Sequence, residues 1–164
     1  MKISILKIVI YINAQVLAME NETAPQYINA YRGSFTSMMR WPHLDDFWSR
    51  LNKQADDSWF IYAVGEQPPE APASKDKLLS FVQEIDTLLH KDHDKDYCGI
   101  VYADDKESPS FIKIFDPNNL GVSCGFSDNP PMPGWILSKL KPIELEAALN
   151  PPNNRRRWWK KLFS

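Results

Sequence analysis

SKDKLLSFVQEIDTLLHKDHDKDYCGIVYADDKESPSFIKIF, residues 74–115, is the stretch whose reading decides the fold class. Its first half carries Leu78, Phe81, Val82, Ile85, Leu88 and Leu89 at helical spacing behind Ser74, a favoured N-cap residue. This predicts an amphipathic helix with one buried face. Beyond the polar KDHDKD turn the period changes. Residues 98–103 and 110–115 are short runs rich in β-branched and aromatic side chains, joined by DDKESP. They read as two strands of a hairpin.

Downstream, Asp116, Pro117, Asn118 and Asn119 form a turn, 121–126 reads as a third strand, and 135–140 follows the proline-rich DNPPMPG as a fourth. Short connections between successive strands imply an antiparallel meander, in which 110–115 is expected to pair with 121–126. Pro142 suits the first turn of a closing helix, with Glu144 beside it and Leu145, Ala148 and Leu149 as its apolar edge. Upstream, Leu44, Phe47, Trp48 and Leu51 recur at i, i+3, i+4 and i+7, which predicts a helix over 42–55. The run 59–64, closed by Gly65, suits a strand, and 66–74, with three prolines, an extended connection. The order points to an α+β fold: an antiparallel sheet, a meander of about four to five strands, with helices packed mainly on one face.

At 164 residues the chain has the length of one core. Three segments are expected: an N-terminal extension over 1–18, an α+β domain over 19–150, and a tail over 151–164. The extension, MKISILKIVIYINAQVLA, supports three readings. It resembles a weak secretory signal, with Val16 and Ala18 at the −3 and −1 positions of a cleavage site; it precedes a translation start at Met19; or it is an extra strand. Lys7 splits its apolar run, so it is too short to span a bilayer.

The net charge of −2 hides an asymmetry, because five of the nineteen basic residues fall in the last ten positions. The first 154 residues hold 14 basic against 21 acidic side chains, a charge of −7. An acidic body argues against nucleic-acid binding across the folded surface. In the tail, Trp158, Trp159, Leu162 and Phe163 would share one arc of a helix, with Arg157, Lys160 and Lys161 opposite and Arg155 and Arg156 leading in. Such a segment suits an anionic membrane surface or a groove on a protein partner. Folding of its aromatics back onto the domain is the alternative.

Other candidate sites read as structural. His90 and His93 stand near a helix end with Cys98 close by, where histidine complements the helix dipole, and no metal or cofactor is expected. Cys98 and Cys124 lack disulfide-scaffold or zinc spacing and should be reduced. Asp104, Asp105 and Glu107 sit on a hairpin tip without calcium-loop spacing. No phosphate-loop, dinucleotide or nucleophile-elbow motif is present, and no catalytic residue is assigned. Tyr31, Arg32, Met38, Arg40 and Trp41 are residue types common at interface centres, although Met38, Met39 and Trp41 as core weighs more. The expected function is a cytoplasmic accessory or adaptor domain that contacts a membrane or partner through its tail; the alternative is a small enzyme with a dispersed site.

Overall fold

The computed structural model describes residues 5–119 and 131–149. The elements are α1 (Ile5–Tyr31), β1 (Thr36–Ser37), α2 (Trp41–Gln54), β2 (Phe60–Ala63), α3 (Lys75–Asp92), β3 (Val101–Ala103), β4 (Phe111–Ile114), the 3-10 turn Pro117–Asn119, β5 (Trp135–Ser138) and α4 (Leu145–Leu149). The five strands form one sheet in the order β1-β3-β4-β5-β2, with every pairing antiparallel. The α+β class read from the sequence is what the chain adopts.

Strand pairing corrects one expectation. Ile112 lies opposite Ala103 on one side and Leu137 on the other, so both edges of β4 are taken by β3 and β5. The described partners of 110–115 are thus β3 and β5; 121–126, the expected partner, lies outside the described residues together with Cys124. β1, only two residues long, lies ahead of α2; it pairs with β3 and forms one edge.

The pleat divides the sheet residues into two sets. Ala103, Ile112, Leu137 and Ile61 align across one face, with Val101, Ile114 and Trp135 beside them. They pack with Leu44, Phe47, Trp48 and Leu51 of α2 and with Leu78, Val82, Ile85 and Leu89 of α3. Burial of each such side chain contributes about 1.5–3 kcal/mol. Ser74 caps α3 as its sequence predicts, its hydroxyl accepting from the Lys77 amide at 3.3 Å. On the opposite face Phe111, Ile136 and Tyr62 pack with Tyr27 of α1 and Leu145 of α4.

The N-terminal region is a helix, which overturns the reading of it as an extra strand. α1 runs unbroken for 27 residues and includes Pro25. Proline removes one helical hydrogen bond and crowds the carbonyl four residues earlier, so the helix is locally weakened just before its packed end. The closing helix starts at Leu145, later than the proline-led start expected, and Pro142 precedes it as a buried residue.

Candidate functional site

Two regions stand out from the packed body. The first is the N-terminal half of α1, where every residue from 5 to 19 is exposed. Ten of them are large and apolar, from Ile5 at 80% exposure to Met19 at 67%. Contact with the sheet begins only near the other end. The Tyr27 ring lies 5.2 Å from Phe111, and Tyr31 supplies its carbonyl to Lys113 Nζ at 2.6 Å.

Lys113 fastens that end of α1. Its ammonium sits 4.0 Å from the centre of the Tyr31 ring and 3.9 Å from that of Phe35, both within cation–π range. A cation at the last carbonyls of a helix also complements the helix dipole. Burial pulls the amine down to about 8. Burial likewise pushes the Tyr27 hydroxyl well above the ordinary tyrosine range.

The second region lies where α2 meets the C-terminal half of α3. Asp86 and His90 are one turn apart on α3, and Asp45 comes from the start of α2; one ligand atom from each lies within 4.8 Å of the others. His90 Nδ1 bonds the Asp86 backbone carbonyl at 2.9 Å, and its distance to Asp86 Oδ1 is 3.4 Å. Trp48 Nε1 donates to that same Oδ1 at 3.1 Å. The Trp41 ring stacks on His90 at 4.1 Å and donates its own N–H to the Lys95 carbonyl at 2.9 Å.

The residues singled out from sequence are dispersed. Met38 is buried in the main core, Tyr31 is half-buried under Lys113, Arg32 and Arg40 are exposed, and Trp41 covers His90. Met39, weighed with the core, is instead exposed. His93 pairs with the Tyr97 carbonyl at 3.0 Å. Cys98 is buried in the core, and burial pushes its thiol up, away from the thiolate a nucleophile needs. Asp104 Oδ1 accepts from the amides of Asp105, Ser110 and Phe111, and Asp105 Oδ1 from those of Glu107 and Ser108. These carboxylates fold the hairpin tip. Arg155, Arg156, Arg157, Trp158, Trp159, Lys160, Lys161, Leu162 and Phe163 lie outside the described residues.

A groove of about 660 Å³ runs between the proline-rich connection and α3, with Ile61, Pro72 and Phe81 as apolar wall and Lys77 and Glu84 also lining it. No histidine or cysteine lines it. Compared with known proteins, the chain matches no protein-family model, no curated protein and no solved structure.

Proposed function

We propose that this protein is an accessory interaction domain held at a membrane surface, with the apolar half of α1 as its main contact. The observation that carries this reading is the exposure of residues 5–19 as a helix that is apolar on all sides. A protein groove reads one stripe of a helix. Here Lys7 is the one charged residue in the segment, and Asn13 and Gln15 make no continuous polar face. Hydrocarbon on every side is the matching environment.

Length sets the depth of that contact. Residues 5–19 make about 22 Å of helix, against a hydrocarbon core of about 30 Å. No described helix is long and apolar enough to cross a membrane, so the insertion is partial. The acidic body is repelled by anionic lipid, which leaves attachment to the two ends of the chain. The basic and aromatic residues 155–163 supply the second contact, and stable anchoring generally takes two weak signals together.

Flotation with anionic vesicles tests this, using the full chain, a chain lacking 1–18 and a chain ending at Asn154. The full chain should float and each shortened form should float less. Equal flotation of the full chain and the one lacking 1–18, or no flotation of the full chain, would refute the reading. A second reading, removal of an export signal after Ala18, is favoured by the fact that 5–19 contribute to neither core. A native protein whose intact mass begins at Met19 would refute the α1 anchor, and recovery of that form from the exported fraction would assign it to signal removal and not to a translation start at Met19.

A further inference from the structure

We propose that Asp45, Asp86 and His90 bind a divalent transition-metal ion at the junction of α2 and α3. The ligand types come first. Two carboxylates and one imidazole make a nitrogen–oxygen set suited to zinc, manganese or ferrous ions, and three protein ligands leave coordination positions for water. Calcium, which takes six to eight oxygen ligands, is a poorer match.

Orientation is the second argument, because metal sites hold their ligands through outer partners. With Nδ1 bonded to the Asp86 carbonyl, the neutral His90 ring carries its free lone pair on Nε2. The stacked Trp41 indole, itself tied to the Lys95 carbonyl, fixes the plane of that ring. Trp48 donates to Asp86 Oδ1, which restrains that carboxylate while Oδ2 remains as a donor atom. Two of the three ligands are therefore oriented by neighbours that are not ligands. Asp45 is exposed; one ligand atom from each residue already lies within 4.8 Å of the others, and binding through Nε2 and Oδ2 requires side-chain rotation to bring the donors to the roughly 3–3.5 Å between ligands of a shared ion.

Topology gives the site a role. Asp86 and His90 lie on α3 and Asp45 on α2, so an ion would join the two helices that cover one face of the sheet.

Calorimetric titration of the full chain with Zn²⁺ alone, paired with the visible spectrum of the Co²⁺-loaded protein, tests the proposal. One ion per chain is expected. Asp45→Asn and His90→Gln should each weaken binding by about tenfold or more, while His43→Gln and His93→Gln bind as the parent does. Trp48→Phe, which touches no ion, should weaken binding about 10- to 100-fold if it orients Asp86. Urea unfolding of each metal-free variant checks that it folds; Asp45 and His90 are both exposed. Absence of binding to the parent chain would overturn the site, as would full affinity in both Asp45→Asn and His90→Gln, or an equal loss in His43→Gln.

Discussion

Residues 5–19 of α1 and the whole of α3 are both rich in large apolar side chains, yet one is exposed throughout and the other forms half of a core. The difference is angular. In α3 Leu78, Val82, Ile85 and Leu89 share an arc that faces the sheet, half-buried Leu79, Phe81 and Leu88 flank it, and the Lys, Asp, Gln and Glu side chains lie on the remaining side. In α1 the apolar residues surround the axis, so no single protein face satisfies them. Patterning, more than content, decided which helix the body could bury.

The sharpest test of that contrast is Leu89→Ala set against Ile10→Ala. Leu89 is fully buried, so its truncation removes transfer energy and leaves a cavity, a loss of about 2–5 kcal/mol. Ile10 is 59% exposed, and its truncation should stay within about 0.5 kcal/mol of the parent. Urea midpoints of the two variants check this directly. A comparable loss in both would mean that α1 packs against the body in solution.

How legible each region was from sequence follows the same logic. α3, its Ser74 cap and the α2 stripe were readable because local periodicity encodes them. The partner of β4 was not, since 121–126 and 135–140 both have strand composition and only a long-range choice separates them. α1 was missed because its Ile and Val run suits a strand or a targeting segment and Pro25 reads as a breaker. The Asp45, Asp86 and His90 cluster spans two helices; its one local signal was the four-residue spacing of Asp86 and His90 on a predicted helix face.

A smaller effect should appear at the junction where α1 changes from exposed to packed. Lys113 has a folded value of about 8 against an ordinary 10.5. Between those limits the unfolded chain binds more protons, so stability attributable to Lys113 rises with pH across the window. Raised tyrosine values act oppositely above about pH 10, where unfolded tyrosines ionise first. The parent should therefore gain stability above pH 8 and lose it above about 10. In Lys113→Met the gain should vanish while the loss persists, which pH-dependent urea unfolding would show. A flat difference between the two proteins would mean that the ring faces and the Tyr31 carbonyl hold the ammonium charged.

A change in stability as small as that of Ile10→Ala is expected from deletion of the whole exposed segment. Removal of residues 1–18 takes away most of the exposed apolar helix, but Tyr27, Ile28 and Tyr31 keep their contacts with the second core and with Lys113. The remaining 13 residues, Met19 to Tyr31, are near the length at which an isolated helix is marginal, so packing must hold them. Pro25 already interrupts the hydrogen-bond ladder between the two halves, so little helical cooperativity passes from residues 5–19 into the packed turn. The unfolding free energy should stay within about 0.5 kcal/mol of the parent, while vesicle flotation falls. A loss of several kcal/mol would make the segment part of the folded body and end the contrast with α3. An unchanged stability together with reduced flotation would separate what folds this protein from what attaches it.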